Sequence, residues 1–471
     1  MVLSCSSVDK LNDIKKKGRL TALTGYNAYS YFIYKGEPMG FEYDLVKKLA
    51  EHLGVSLDLI VVKDIKQMFD MLDRGKGDII AFNLTITKER TQLVDFTNSI
   101  NTIKQVLVQR KPENWREMKL HEIEKELIRD PADLIGKTVV VRNNSSYIER
   151  LKNLSEEVGG DINIIEAEPE LTIEDLITQV ADGEIDYTIS DNNIAELNGI
   201  YHDNIDVNTE ISLSQRVAWA VEKSSDKFLE EINGWLDSIK TTTDFAVIYN
   251  KYFKNRYSFK RRMTSDYFSN TGGGISKYDD LIKKYSSTVG WDWRLGASMI
   301  YQESQFDPNA KSWAGAVGLM QLLPSTGKEY GLINLSAPEQ NIKAGFKYIS
   351  YLDEYWKKEI KDSLERIKFD LASYNIGLSH VVDARNLASK YGANPDIWFD
   401  NVEYYLMLKS EPEYYSDSVV KAGYAHGEEA VNYVKEILDR YEQYKQLIKS
   451  IKNSNMLSFN FSNQKINWVS N

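Results

Sequence analysis

One glutamate in this chain lies where a helix would normally bury an apolar side chain. We predict a helix that is capped near Asp292 and runs through Phe306. Its apolar face, spaced by the 3.6-residue period of a helix, consists of Leu295, Met299, Glu303 and Phe306. Because an ionised carboxylate is costly to bury, we expect Glu303 to have a raised pKa and to keep a proton near neutral pH, as a general acid requires. The helix alone leaves open that Glu303 is a structural carboxylate, paired with a buried Arg or with backbone donors.

A polar turn follows this helix at Gly318-Leu319-Met320-Gln321. Residues 315–324 contain no Asp or Glu, so the turn supplies no second carboxylate. Asp307 lies close to Glu303 in sequence, but the Pro-Asn pair that follows it favours a cap or turn over a catalytic role.

Length and composition limit the classes of protein that this chain can be. Its 471 residues are too many for one ordinary core and predict two or three domains. The formal charge of -11 argues against nucleic acid as a partner, because phosphate binding needs clustered Lys and Arg, and the basic run Lys260-Arg261-Arg262 is only three residues long. A single Cys and five scattered His residues show no metal-ligand spacing, so we expect no metal or other cofactor. No stretch approaches the roughly 18 apolar residues that a membrane-spanning helix needs.

The first half of the chain alternates short β-branched runs with amphipathic helical patterns, which is typical of an α/β fold. One helix is predicted over Phe41–Leu53, with Gly54 as its C-terminal stop. The predicted strands cover residues 57–62, 78–83, 138–142, 162–166, 187–190 and 217–221.

A faint internal repeat indicates two lobes within this half. Residues 72–80 and 180–188 each have the pattern of a helix end, a glycine and a strand. In that register Asn83 corresponds to Asp191, and both lie where a strand meets the loop after it. Open α/β sheets bind ligands at the carboxyl ends of their strands, so the two residues mark a candidate binding site.

The second half is predicted to be mainly helical, because strand patterns stop and Trp, Tyr and Leu recur at helical spacing. One helix start is predicted at Ser336, ahead of Pro338 and Glu339. The predicted domains are a two-lobed α/β domain at 18–254 with its second lobe at about 112–212, a linker at 255–275, a mainly α domain at 276–451 and a tail at 452–471.

The single Cys lies within Leu3-Ser4-Cys5, which resembles the end of a bacterial lipoprotein signal. We predict an N-terminal tether at 1–17 that carries a lipid on Cys5, since lipid attachment would anchor the chain without a membrane-spanning helix. Only four residues precede this Cys in place of the apolar segment of such signals, so either the sequence starts late or the Cys is incidental.

Three segments of the first domain resemble the family 3 solute-binding domains of amino-acid receptors. They are GFEYDL (40–45), DIIAFNLTITKER (78–90) and VDFT (94–97). The resemblance covers nearly all of the first 253 residues and implies a two-lobed fold like that of periplasmic binding proteins.

The resemblance also implies roles for individual residues of the first domain. An Arg after the strand clamps the α-carboxylate of the ligand in that family, and Arg90 occupies this position. Asp191 would bind the α-ammonium group, so the two residues would recognise a zwitterion. The supporting ligand contacts would come from Thr85, Ser145 and Ser146. Many members have Gly-Thr at the position of these two serines, so the identity of the ligand stays open.

Four separated motifs in the second half resemble the lysozyme-like lytic transglycosylase domain. They are ES (303–304), GLMQ (318–321), ASYNIG (372–377) and EAVNYV (429–434). With the solute-binding segments ahead of them, the whole chain resembles the membrane-bound lytic murein transglycosylase F family.

That family implies exolytic cleavage of the β-1,4 bond between N-acetylmuramic acid and N-acetylglucosamine in peptidoglycan, a carbon-oxygen lyase reaction. Glu303 would protonate the leaving oxygen and then take the proton of the muramic C6 hydroxyl, which closes a 1,6-anhydro ring. Glycosidases with two carboxylates hold them at defined separations, so a turn without a second acid fits a one-acid mechanism better. The implied sugar-binding and electrostatic partners are Ser304, Gln321, Tyr374, Asn375 and Tyr433, with ordinary core and turn duty as the alternative for each.

The leading hypothesis is a lytic transglycosylase that acts on peptidoglycan strands and is tuned by an amino acid or muropeptide. The family implies a position at the periplasmic face of the bacterial outer membrane, peripheral or lipid-anchored. Two alternatives stay open: a muramidase that hydrolyses the same bond, and a receptor for an amino acid or muropeptide whose helical domain is inactive.

Overall fold

The computed structural model describes residues 9–169, 171–270 and 273–448. Its internal contacts divide the chain into two units. The first unit holds the described residues up to Phe32 and those from Pro38 to residue 270, and the second holds Ile33–Glu37 and those from residue 273 onward. The predicted lipidation site at Cys5 and the predicted tail at 452–471 lie outside the described residues.

The strands and helices follow in chain order. The strands are β1 Arg19–Thr24, β2 Phe32–Tyr34, β3 Glu37–Met39, β4 Ser56–Val61, β5 Ile79–Thr85, β6 Asp95–Phe96, β7 Asn101–Ile103, β8 Gln105–Arg110, β9 Thr138–Val141, β10 Asn163–Glu166, β11 Tyr187–Asp191, β12 Ile205–Glu210 and β13 Gln215–Val221. The α-helices are α1 Lys10–Lys17, α2 Phe41–Leu53, α3 Ile65–Asp73, α4 Arg90–Leu93, α5 Leu120–Glu126, α6 Ser146–Val158, α7 Ile173–Asp182, α8 Asn192–Tyr201, α9 Asp226–Ile239, α10 Thr243–Tyr249, α11 Arg256–Met263, α12 Asp279–Ser286, α13 Trp293–Ser304, α14 Pro324–Glu329, α15 Pro338–Glu359, α16 Ser363–Ile376, α17 Leu378–Lys390, α18 Glu403–Leu408, α19 Pro412–Tyr415 and α20 Gly427–Leu447.

The first lobe of the first unit is built on a mixed sheet. Strand β1 pairs in parallel with β4 and β5, and β13 pairs antiparallel with β5, β6 and β7. Helix α2 has the predicted bounds, and Gly54 ends it in the left-handed conformation with φ of 70°. The parallel strands direct their carboxyl ends to one edge of the sheet, where the end of β5 carries Asn83 and Thr85.

The second lobe contains an antiparallel sheet in the order β11-β8-β12 and the parallel pair β9 and β10. Strand β8 was not among the predicted strands, although Val106, Leu107 and Val108 are buried in it. The lobe therefore begins before the predicted boundary at about residue 112, because this short apolar run pairs with both neighbouring strands.

Two stretches that we predicted as connecting segments contain helices. Helix α1 lies in the predicted tether and buries Ile14, and α11 lies in the predicted linker and buries Phe259 and Arg262. The Arg262 guanidinium lies over the Phe32 ring, 5.3 Å from its centroid. The basic run had suggested a solvated linker, but aromatic faces can stabilise a buried arginine, and a linear pattern does not show them.

The core of the second unit is formed mainly by the packed faces of α12, α13, α15, α16 and α20. Helix α15 buries Ile342, Phe346, Ile349 and Trp356 on one face. Ala337, rather than the predicted Ser336, is its N-cap residue. Ile33, which comes from the tip of the β2-β3 hairpin, is fully buried in the same core.

Candidate functional site

The acid of the predicted active site lies in the last turn of α13. Asp292 caps this helix, as predicted, and accepts a hydrogen bond from the backbone N–H of Arg294 at 2.9 Å. The helix ends at Ser304 because Gln305 and Phe306 adopt left-handed backbone conformations, with φ of 50° and 63°. The predicted end at Phe306 was therefore too late.

Glu303 is half-buried and accepts a hydrogen bond from one tyrosine. The Tyr433 hydroxyl, carried on α20, donates to Glu303 Oε1 at 2.5 Å. Burial raises the pKa of Glu303 to about 7; the hydrogen bond from Tyr433 opposes this rise, and the charge of Glu429 adds to it. The predicted direction of the shift agrees with the structure, and the acid retains its proton in a large fraction of molecules near neutral pH.

The glycine turn beside this acid is held by Asn341, which the sequence analysis did not single out. Gly318 has φ of 87°, and a side chain there would collide with Leu335 O and the Asn341 amide. Asn341 is fully buried, donates to Val317 O at 3.0 Å and to Leu335 O at 2.8 Å, and accepts from the Met320 N–H at 2.7 Å. Asn341 could have been identified from the sequence as a polar residue on the apolar face of a predicted helix.

Ser304 and Tyr374 form hydrogen bonds to the backbone of the same turn. Ser304 Oγ donates to Leu319 O at 2.8 Å, and Tyr374 Oη donates to Met320 O at 2.7 Å. Both hydroxyls therefore position the turn relative to Glu303. Their predicted direct contacts with a sugar stay predictions.

The amides of Gln321 and Asn375 are engaged differently. Gln321 closes the turn by donating from Nε2 to Gly318 O at 2.9 Å and to Ala310 O at 3.1 Å. Asn375 is half-buried near the end of α16, and within the described residues no hydrogen bond engages its side-chain amide. Asn375 is therefore the better candidate for a direct contact with an acetamido group.

Asp307 has a structural partner, in line with its predicted turn role. Its Oδ1 accepts from the backbone N–H of Asn309 at 2.9 Å. Glu303 is the acid of the first motif, and the charge of Glu429, in the fourth motif, acts on it.

In the first unit, residues of both lobes line one cleft. The predicted or repeat-marked residues among them are Asn83, Thr85, Arg90, Ser145, Ser146 and Asp191. The structure thus brings together all the side chains that the resemblance assigned to ligand binding.

Arg90 lies in this cleft with about 9% of its surface exposed. Its guanidinium donates to Thr85 O at 3.1 Å in the first lobe and to Asn144 O at 3.2 Å in the second lobe. Burial lowers the pKa of Arg90 to about 10, which still leaves it charged at neutral pH. The group is thus a fixed cation at the junction of the lobes.

Asp191 lies at the end of β11 and is buried. It accepts hydrogen bonds from Asn83 Nδ2 at 2.8 Å and from Tyr147 Oη at 3.1 Å. Burial raises the pKa of Asp191 to about 6, and the Tyr147 hydrogen bond, the charge of Arg90 and the Asn83 hydrogen bond oppose the rise. The pair that the internal repeat marked, Asn83 and Asp191, is therefore in direct contact.

The serines and the threonine extend the contacts across the cleft. Ser146 Oγ lies 3.2 Å from Thr85 Oγ1 and joins the two lobes. Ser145 donates to the backbone oxygen of Arg142 at 2.6 Å. Arg142 also lines the cleft, and it was missed, although it ended a predicted strand and so occupied a position where ligands bind.

Within the described parts of the chain, no cluster of His, Cys, Asp or Glu has an arrangement suited to a metal ion. Over the same residues, no helix combines the length and apolar character needed to cross a bilayer.

Family models and known relatives agree with both resemblances. Residues 19–255 match the bacterial extracellular solute-binding proteins, family 3, and residues 280–397 match the transglycosylase SLT domain. A membrane-bound lytic murein transglycosylase F from Desulfosudis oleivorans is 38% identical over 440 residues, which cover 93% of this chain and 93% of that protein. A protein of the same name from Photobacterium profundum is 33% identical over 440 residues, which cover 92% of this chain and 82% of that protein. The chain belongs to the membrane-bound lytic murein transglycosylase F family.

Proposed function

We infer that this chain cleaves peptidoglycan as a lytic transglycosylase, and we propose that Glu303 serves as both its acid and its base. The observation that carries the proposal is a half-buried carboxyl group with a pKa of about 7, hydrogen-bonded to Tyr433 and set beside a turn without a second acid. Such a pKa suits a group that gives and takes a proton near neutral pH.

The proposed reaction needs only this one carboxyl group. Protonated Glu303 gives its proton to the oxygen that leaves as the O4 hydroxyl of N-acetylglucosamine, and the bond between that oxygen and C1 of N-acetylmuramic acid breaks. The Tyr433 hydroxyl stabilises the carboxylate that results. Glu303 then takes the proton of the muramic C6 hydroxyl, whose oxygen bonds to C1 within the same sugar. The acid ends protonated and no water is consumed.

Mass analysis of products from purified murein sacculi tests this assignment. We expect muramic ends that are lighter than reducing ends by one water, as 1,6-anhydro rings require. Reducing muramic ends would instead identify a muramidase and refute the lytic reaction. A Glu303→Gln protein that folds but yields neither product assigns the chemistry to this carboxyl group.

We also propose that the cleft of the first unit binds an amino acid or muropeptide that tunes this activity. Arg90 and Asp191 offer a cation and an acid at opposite ends of a zwitterion, and the cleft joins two lobes. A ligand can shift activity only if it binds the active and inactive states with different affinities. The test is turnover on sacculi in the presence of each compound shown to bind, and turnover unchanged by all of them refutes the regulation.

The relatives are named as membrane-bound proteins. We propose that a lipid on Cys5 would attach this chain to the membrane. We place the enzyme at the periplasmic face of the outer membrane, where its substrate lies. Cys5→Ala should lose incorporation of labelled palmitate and leave the membrane fraction. A Cys5→Ala protein that stays in that fraction refutes the anchor.

A further inference from the structure

The ligand cleft contains more buried charge than one zwitterion needs. Arg90 and Asp191 would satisfy an α-carboxylate and an α-ammonium, yet Arg142 also lines the cleft with 8% of its surface exposed, and Glu174 follows the cleft residue Ile173 with 3% exposed. Within the described residues, no ion pair joins any of these four charged groups to a protein partner. Arg90 and Arg142 favour the charged form of Asp191 from beyond ion-pair distance, so a ligand carboxylate would give the arginines a direct counter-charge.

Arg142 reaches across the cleft, and among the described residues it donates one side-chain hydrogen bond. It follows β9 in the second lobe, and its Nη2 donates to Lys63 O in the first lobe at 3.3 Å. Its guanidinium carbon lies 5.4 Å from the centroid of the Phe82 ring, which is also in the first lobe. A guanidinium has five N–H donors in a planar fork, and this contact occupies one of them. The remaining edge matches a carboxylate.

Among the residues that the structure describes, two buried polar atoms in this part of the first unit have no hydrogen-bond partner. They are Tyr29 Oη, on a residue that lines the cleft, and Glu174 Oε2. The other oxygen of Glu174 accepts from the Ala28 N–H at 2.7 Å, which fixes the carboxyl group in place. Tyr29 and Arg142 line the same cleft, and the charge of Arg142 acts on both Tyr29 and Glu174.

We propose that Arg142 and Tyr29 form a subsite for a second carboxylate, so that the effector is an amino acid with two carboxylates. The α-carboxylate pairs with Arg90, the α-ammonium pairs with Asp191, and the second carboxylate accepts hydrogen bonds from Arg142 and from Tyr29 Oη. This inference rests on the proposed ligand binding at Arg90 and Asp191, and it adds the chemical class of the ligand.

Charge balance favours this ligand over a neutral zwitterion. Burial raises the pKa of Glu174, and the hydrogen bond from the Ala28 N–H opposes the rise. The three residues that we assign to direct pairing with the ligand, Arg90, Arg142 and Asp191, carry one net positive charge when Asp191 is ionised, and a dicarboxylic amino acid carries one net negative charge. A zwitterion with one carboxylate would leave Arg142 without a ligand carboxylate to pair with.

Glutamate and glutamine provide the test, because they have the same shape and differ in the charge of the second group. Titration calorimetry on the full chain would use the L and D forms of each. We expect the preferred form of glutamate to bind at least about tenfold more tightly than the matching glutamine, as charge-assisted pairing predicts. Arg142→Gln should abolish this preference and leave the glutamine affinity within about threefold.

Further variants separate the subsite from the rest of the cleft. Arg142→Lys keeps the charge but loses the planar fork, so its preference should lie between those of the wild type and Arg142→Gln. Arg90→Gln should weaken both ligands. Arg216→Gln changes an exposed arginine of the same unit and should alter neither affinity. Thermal unfolding of each variant checks that it is folded.

Each outcome has a distinct meaning. Equal affinities of the wild type for glutamate and glutamine overturn the second subsite and leave zwitterion binding standing. A preference that survives in both folded Arg142 variants also overturns it. Binding of neither ligand overturns the subsite and the proposed ligand cleft together, whereas the lytic reaction stands or falls separately on its anhydro products.

Discussion

Glu303 in the second unit and Asp191 in the first are both acids whose pKa is raised by burial, but their surroundings differ. Glu303 accepts one hydrogen bond, from Tyr433, and no cation contributes to its pKa shift. Asp191 accepts from an amide and a hydroxyl, and two arginines favour its charged form. We propose that the first environment lets Glu303 gain and lose a proton, and that the second keeps Asp191 charged so that it can bind a ligand.

A raised pKa is therefore not enough to identify a catalytic acid. Glu42 illustrates this, since burial raises its pKa to about 7 as well. Glu42 is only 3% exposed and accepts a short hydrogen bond from the Trp219 indole inside the first lobe. Glu303 is instead half-buried and stands beside a polar turn, where a substrate can reach it. Access and partners separate the two acids, whereas the pKa does not.

The largest expected effect is the loss of turnover when Glu303 is replaced. Glu303→Gln removes the proton that the leaving oxygen needs, so turnover on sacculi should fall by about 10³-fold, within the range of general acid catalysis. Glu42→Gln is the matched control, because it changes an acid of similar pKa away from the turn, and its turnover should stay within about twofold of the wild type. A Glu303→Gln protein that keeps a tenth of the activity would contradict the assignment.

The recognition side of the comparison is tested by Asp191→Asn. The substitution keeps the shape and removes the charge that we assign to the α-ammonium, so glutamate affinity should fall by about 30-fold or more. Titration calorimetry measures this directly. Asp203→Asn changes an exposed acid of the same lobe, paired with Arg116, and should leave the affinity unaltered. Equal affinities of the two variants would remove Asp191 from the site.

The motif residues were predictable because their spacing reports local structure. Helix α2 and its glycine stop follow from an apolar period, and the internal repeat identifies Asn83 and Asp191 as equivalent strand-end positions, whose side chains are in contact. Asn341 and Arg142 were missed, since each acts through contacts with segments that are distant in sequence. Spacing along one element cannot show which other element packs against it.

The β2-β3 hairpin is the clearest case of this limit. The predicted first domain at 18–254 includes its tip, Ile33–Glu37, but the tip belongs to the second unit. Ile33 is fully buried in that core, and Gly36 O accepts from Tyr444 Oη at 2.6 Å. Nothing local in the hairpin sequence predicts partners some 400 residues away, because the pairing depends on tertiary packing.

Because the hairpin tip packs in the second unit, a substitution at Gly36 should lower the stability of that unit. Its φ is 80°, and a methyl group there would lie 2.5 Å from the Phe306 ring and 3.0 Å from the Tyr301 ring. Gly36→Ala should therefore lower the free energy of unfolding of the second unit by about 3 kcal/mol, from backbone strain and overpacking together. Gly392→Ala has a similar φ of 84° with open space around it and should cost about 1 kcal/mol from strain alone.

Urea denaturation of the full chain, with lytic activity as the readout of the second unit, measures both losses. Equal losses for Gly36→Ala and Gly392→Ala would show that the hairpin tip does not pack tightly in that unit.

A smaller effect concerns the stability that the folded protein loses by burying Glu303. The folded protein keeps the Glu303 proton up to a pKa of about 7, whereas the unfolded chain releases it near the ordinary value of 4.5. The unfolded state thus binds fewer protons between these values, so the wild type loses stability as pH rises through this window. Glu303→Gln removes the titration and should be more stable than the wild type by about 2 kcal/mol above pH 7, with a much smaller difference near pH 4. Urea midpoints at the two pH values check this, and a difference that does not depend on pH would contradict the raised pKa.

The smallest expected effect concerns the hydrogen bond from Tyr433 to Glu303. Tyr433 donates to the Glu303 carboxylate and so favours its charged form and lowers its pKa. Tyr433→Phe should raise that pKa further, and because the acid is active when protonated, the basic limb of the pH-activity profile should move up by about one pH unit or less. The maximal rate should fall at the same time, since the carboxylate formed after proton transfer loses its donor.

Tyr374→Phe is the matched control: its hydroxyl donates to Met320 O, so the rate should fall without the same upward shift of the limb. A basic limb that stays fixed or moves down in Tyr433→Phe would mean that another group supplies the proton.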